Sequence, residues 1–112
     1  MDKFEEIIQK QKDFQTLLNQ PIHEIGYSNQ CFLALIREVT EALECTTWKS
    51  KQYRYGWKNN QIFLKSQLKS ELADVLIFYI NILSAHNITY QELCEEILSK
   101  IKLNTYRQET NY

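Results

Sequence analysis

The chain has 112 residues, 44% apolar and 24% charged, with a formal net charge of −1. That length bounds it to one domain, 1–112, with a core modest enough that further burial in a homo-oligomer is expected. The near-neutral charge argues against a nucleic-acid or membrane-surface partner, and no apolar run approaches the roughly 18 residues of a membrane span. The start "MDKFEEIIQK" has no secretory pattern, so a cytoplasmic location is expected by default. Two Gly and one Pro in the whole chain point to a helical protein. Cys31, Cys45 and Cys94 lack CxxC spacing and read as buried free thiols.

In chain order, residues 3–19 read as a first helix with an imperfect stripe of Phe4, Ile7, Ile8, Phe14 and Leu18, bounded by Pro21. Ser28 is the expected cap of a second helix, about 29–46, with Phe32, Leu35, Ile36, Val39, Ala42 and Leu43 near 3.6 periodicity. Residues 47–61, aromatic and basic with Gly56, read as a loop. A third helix, about 62–86, is apolar nearly all round in its second half, which places that half at the domain centre or at a subunit interface. Thr89 with Glu92 is a capping-box pattern opening a fourth helix, about 90–107. Four helices with mostly short connections predict an all-α, four-helix bundle-like domain, assembled as a homo-oligomer.

Two carboxylate pairs stand out. Glu38 and Glu41 sit in "LALIREVTEALE", and Glu71 and Asp74 sit in "LKSELADVLIFYINIL". Spacing i, i+3 projects each pair from one helix face, beside apolar surface. Charged rims that pair with Arg37, Lys65 or Lys69 are one explanation. Four carboxylates on two facing apolar helices instead favour a hard divalent cation such as Mg²⁺, because ionised Asp and Glu are rarely buried without a partner or a metal.

Lys100, Asn104 and Arg107 share a face on the last helix and continue the Leu93–Ile97 stripe, so they are expected to point into the bundle. Such a set suits phosphate oxygens, although basic residues also accumulate at helix C-termini for dipole reasons. Trp48 and Lys49 lead the aromatic-basic loop. Aromatics there either stack on a nucleobase or cover one end of the bundle. P-loop, dinucleotide, serine-hydrolase and zinc-protease motifs are absent from the sequence, and no thiol or hydroxyl has an evident base.

The order ExxE, aromatic loop, ExxD, K-x3-N-x2-R resembles the all-α nucleoside triphosphate pyrophosphatase superfamily, which includes dimeric dUTPases, dCTP pyrophosphatases and MazG-like proteins. The resemblance runs from about Gln15 to Tyr112. It is carried by "EVTEALECTTWK", "ELADVLIFYINIL", the ending "KIKLNTYRQETNY" and the first-helix "FQTLLN". It implies that Glu38, Glu41, Glu71 and Asp74 ligate Mg²⁺, with Mn²⁺ as a substitute. It further implies that Lys100, Asn104 and Arg107 hold phosphates with Lys49 as helper, that Trp48 and Phe78 pack on the base, and that Gln15 and Asn19 read it. Ile77 stands where dimeric dUTPases often show His, and "ADVLIFYI" is closer there to the dCTP pyrophosphatases.

The expected activity is hydrolysis of a deoxynucleoside triphosphate to monophosphate and pyrophosphate, with dUTP the first choice of substrate. Glu41 is the expected base, and Lys100 and Arg107 stabilise charge on the transferring and leaving oxygens. A dCTP-specific or broad house-cleaning enzyme is the alternative within that class. Outside it stands a helical interaction protein that binds nucleotides without turnover.

Overall fold

In the computed structural model, residues 2–46 and 61–110 are described. All regular structure among them is helical: α1 (Lys3–Leu17), α2 (Tyr27–Glu44), α3 (Gln61–Ala85) and α4 (Tyr90–Glu109). The all-α expectation holds, with boundaries within two residues of those read from periodicity. The expected loop, with Trp48 and Lys49, lies outside the described residues except for Gln61, which opens α3.

Local chemistry sets the helix ends. Asp2 caps α1, its Oδ1 accepting from the Glu5 N–H at 2.8 Å. Asn19, at φ 56, turns the chain after α1, and its N–H donates to the Thr16 carbonyl at 3.0 Å. Asn adopts this left-handed conformation more readily than most residues. At α4 the full capping box is present: the Glu92 N–H donates to Thr89 Oγ1 at 3.1 Å, and the Thr89 N–H donates to Glu92 Oε2 at 2.9 Å.

Ser28 is not the cap of α2. The helix starts at Tyr27, and its N-cap is Gly26 at φ 98. Glycine enters the left-handed region without a Cβ clash, which lets the chain turn into the helix two residues early. Ser28 is thereby carried into the first turn, and its Oγ meets His86 Nε2 at 2.6 Å just beyond α3. The contact ties the start of α2 to the end of α3, so the two helices run antiparallel.

The α2–α3 pair is the centre of the fold, and α1 packs more lightly on α3. Tyr27, Cys31 and Ile82 form the core cluster with Ile22, Leu35 and Ala85 around it. Residues 80–84 of α3 are all buried, as its all-round apolarity predicts. Ile80, at 1% exposure, is the most enclosed large side chain described.

The last helix does not close a bundle. Its axis is bent 110° from that of α3. Phe4 and Tyr90 stack at 5.1 Å between ring centroids, and Leu93 and Ile97 line a groove with Leu72, Val75, Leu76 and Tyr79. Past that point every residue of α4 is exposed. The 17.7 Å radius of gyration records this openness, since a compact chain of this length has about 13 Å. No single described helix is long and apolar enough to cross a membrane.

Candidate acidic centre and adjoining cavity

Antiparallel packing sets the carboxylates of α2 against those of α3. One oxygen each from Glu38, Glu71 and Asp74 lies within 4.8 Å of the others. Oxygens ligating one Mg²⁺ ion are about 3.0 Å apart when adjacent and about 4.2 Å apart when opposite, so these three would have to draw together to share an ion. Glu38 Oε2 and Glu71 Oε2 are sealed from water and have no hydrogen-bond partner. Orphaned charged oxygens are costly, and a cation is the chemistry that relieves them.

Burial pushes the Glu38 carboxyl above its ordinary value, followed by the hydrogen bond and charge of Glu41 and then by Asp74 and Glu71. Glu71 is raised in the same way, by burial first and then by Glu41 and Asp74. What acts on both groups is desolvation and like charge. Carboxylates crowded in this way hold protons unless positive charge is supplied.

Glu41, the fourth expected ligand, stands beside the trio. Its charge acts on both Glu38 and Glu71, and its Oε1 accepts from Arg37 Nε at 3.3 Å. That pair is an exposed i, i+4 contact worth about 0.3–0.5 kcal/mol. Part of the rim pairing expected from sequence is therefore present, at Arg37 alone among the described ion pairs. Cys45 Sγ donates to the Glu41 carbonyl at 3.5 Å. Burial and then the charge of Glu71 push its thiol up, which makes it a poor nucleophile at neutral pH.

One turn along the same seam, in the direction of Tyr27, a cavity of about 420 Å³ opens between α1, α2 and α3. Ala34 and Phe78, four residues from Glu38 and Asp74, mark its near end. Phe14 adds a second aromatic wall. Gln15 is buried at 2% exposure, its Nε2 donating to the Tyr27 hydroxyl and its Oε1 left without a partner. Gln11 Nε2 donates to Asn81 Oδ1 at 2.9 Å, so Asn81 keeps its own amide N–H groups as donors. The lining thus combines aromatic faces with a free acceptor and free donors.

Of the residues expected at the site, Glu38, Glu71 and Asp74 converge, Glu41 adjoins them, and Gln15 and Phe78 line the cavity. Asn19 does not join it: it is exposed and occupied with the turn after α1. Trp48 and Lys49 lie outside the described residues. The largest departure is Lys100, Asn104 and Arg107, which are exposed on the projecting part of α4 rather than turned inward. Lys100 pairs with Glu96 at 3.9 Å along its own helix. The apolar stripe they continue is covered only as far as Ile97, because the steep departure of α4 carries the next turns away from α3.

Tyr27, Asn81 and Gln11 were not singled out from sequence. Asn81 had a signal, a lone amide within "FYINIL", where an unpaired polar group would be costly. Tyr27 and Gln11 had none, since each acquires its role from a neighbour on another helix. No protein-family model, curated protein or solved structure matches this chain.

Proposed function

We propose that this protein is a Mg²⁺-dependent hydrolase that converts a deoxynucleoside triphosphate, dUTP first, to the monophosphate and pyrophosphate. The observation that carries the reading is the trio Glu38, Glu71 and Asp74 with its two orphaned oxygens, one helical turn from an amide-lined aromatic cavity. One turn is about 5.4 Å, room for a sugar between a base in the cavity and an α-phosphate at the carboxylates. The Gln15 Oε1 acceptor suits N3–H of uracil, and equally the exocyclic amine of cytosine, so a dCTP or broad house-cleaning specificity is the alternative.

Glu38, Glu71 and Asp74 would hold the cation, with Glu41 at its edge. Bound there, Mg²⁺ supplies charge neutralisation and a lowered pKa for water. Glu41, steadied by Arg37, takes the proton of the attacking water as its oxygen bonds to the α-phosphorus. The bond from that phosphorus to the α,β-bridging oxygen breaks, and pyrophosphate leaves with the electron pair. Phe14 and Phe78 exclude water from the base, and Gln15 orients it. Lys100, Asn104 and Arg107, which α4 carries away from the carboxylates of its own chain, would bind phosphate oxygens only where the assembly returns them to a site. The active protein is a cytoplasmic homo-oligomer, in keeping with the exposed apolar faces of α2 and α4.

A screen of all common dNTPs and NTPs with Mg²⁺, reading pyrophosphate against orthophosphate, tests this. Pyrophosphate release from one or two pyrimidine substrates is the expected result, lost in Glu38→Gln and Asp74→Asn with helicity unchanged. Nucleotide binding by calorimetry with no product over hours would replace it with the non-catalytic reading. Turnover unchanged in both variants would remove the metal site from the chemistry.

A further inference from the structure

We infer that Gln11 and Asn81 work as one amide pair that sets which base edge the cavity takes. In the orientation seen, the pair selects the carbonyl–NH–carbonyl edge of uracil over the amine edge of cytosine. This rests on the pyrophosphohydrolase reading only for the presence of a base in the cavity.

Among the described residues no charged side chain lines the cavity, so the part of a ligand enclosed there is neutral. Gln11 and Gln15 lie four residues apart on α1 and share one face of it. Gln15 is 2% exposed and Asn81 7%. Polar side chains enclosed to that degree need partners. Each of the two amides is held by one end. Gln15 Nε2 is committed to the Tyr27 hydroxyl, which leaves Oε1 as an acceptor. Asn81 Oδ1 is committed to Gln11 Nε2 at 2.9 Å, which leaves its N–H groups as donors. The wall therefore presents an acceptor from α1 and donors from α3, each oriented by a neighbour on a different helix.

A primary amide turned end for end exchanges donor for acceptor with almost no change of shape. Asn81 alone would thus meet a carbonyl or an amine equally well. Gln11 removes that freedom by taking the oxygen. Uracil answers the resulting pattern in either direction, because carbonyls at C2 and C4 flank its N3–H. With N3–H on Gln15 Oε1, Asn81 finds a carbonyl on whichever side it stands. Cytosine answers in one direction only, with its amine on Gln15 and its N3 on Asn81. In the other direction a cytosine lone pair faces Gln15 Oε1, and that buried acceptor stays unpaired. Thymine presents the same edge as uracil, so the pair separates carbonyl from amine bases and not those two from each other.

Calorimetry with the α,β-imido analogues of dUTP and dCTP, in Mg²⁺, tests this through the ratio of their affinities. The wild type should favour the dUTP analogue by about tenfold, the scale of one unmet buried hydrogen bond. Gln11→Glu keeps the size of the side chain but can only accept. It turns Asn81 to donate, so that Asn81 shows Oδ1 to the cavity beside Gln15 Oε1. Two acceptors suit the two N–H groups of the cytosine amine, and the ratio should reverse. Asn81→Asp sets a second acceptor at the same place, still held by Gln11, and should move the ratio the same way. Gln9→Glu adds the same charge at an exposed position of α1 and should leave the ratio at its wild-type value. A wild type without preference for the dUTP analogue, a ratio unmoved in both cavity variants, an equal shift in Gln9→Glu, or no binding of either analogue overturns the inference. The expected reversal without pyrophosphate release from dUTP or dCTP leaves the base assignment standing and ends the hydrolase reading.

Discussion

Glu38 on α2 and Glu71 on α3 each bury one carboxylate oxygen, Oε2, without a hydrogen-bond partner, and both belong to the trio that converges with Asp74. Like charges held together in this way are a standing cost in the metal-free protein. Glu71→Gln is therefore expected to raise the metal-free melting temperature by a few degrees. The same change should remove the gain that Mg²⁺ gives the wild type, a gain set by ligand concentration relative to Kd. Thermal melts with and without Mg²⁺ check both, and a Mg²⁺ gain undiminished in the variant would place the ion elsewhere.

The same two carboxyls set a pH dependence. Both are raised above the ordinary carboxylate value, so the folded state binds more protons than the unfolded chain. Stability from these groups is fully present below the unfolded value and is lost as pH rises through the raised folded value. Metal-free protein should thus melt lower at about pH 7 than at about pH 5, and saturating Mg²⁺ should flatten the difference. Melting curves across that range, in Glu38→Gln/Glu71→Gln as control, separate this pair from the remaining carboxylates.

Tyr27→Phe removes the acceptor of the buried Gln15 amide. Leaving that donor unpaired should cost about 1–3 kcal/mol in denaturant unfolding. Gln15→Leu removes that donor and the orphaned Oε1 but strands the Tyr27 hydroxyl, and should cost a similar amount. It should also blur discrimination among bases while leaving the Mg²⁺ dependence intact, as KM values across the four dNTPs will show.

Thr89→Ala breaks one arm of the capping box of α4. A lost cap costs about 1 kcal/mol, and little tertiary packing holds this helix to its own chain. Amide exchange should therefore accelerate from Leu93 towards Ile97 well before it does in α3. Equal acceleration in α3 would mean that the two helices unfold as one unit.

The carboxylates were legible in the sequence because an i, i+3 charge pair inside an apolar run is a local conflict with one common resolution. Gln15 and Phe78 were legible only through resemblance, and the structure sets both on the cavity wall. Asn19 misled because a short amide serves a left-handed turn as readily as a ligand. Lys100, Asn104 and Arg107 were correctly placed on one face, but periodicity specifies a face and not its neighbour.

The sequence by itself determined the four helices, the capping box at Thr89, the buried second half of α3 and the two acidic pairs. Each of these depends on residues within one or two turns of one another. Only the tertiary structure decided that α2 and α3 bring Glu38 to Glu71 and Asp74, that Tyr27 and Asn81 line a cavity, and that α4 leaves its own chain. Those outcomes depend on the angles at which the turns around Gly26 and Asn87 release the next helix. A few degrees at such a hinge move the far end of a 30 Å helix by many ångströms, and no short-range pattern records them.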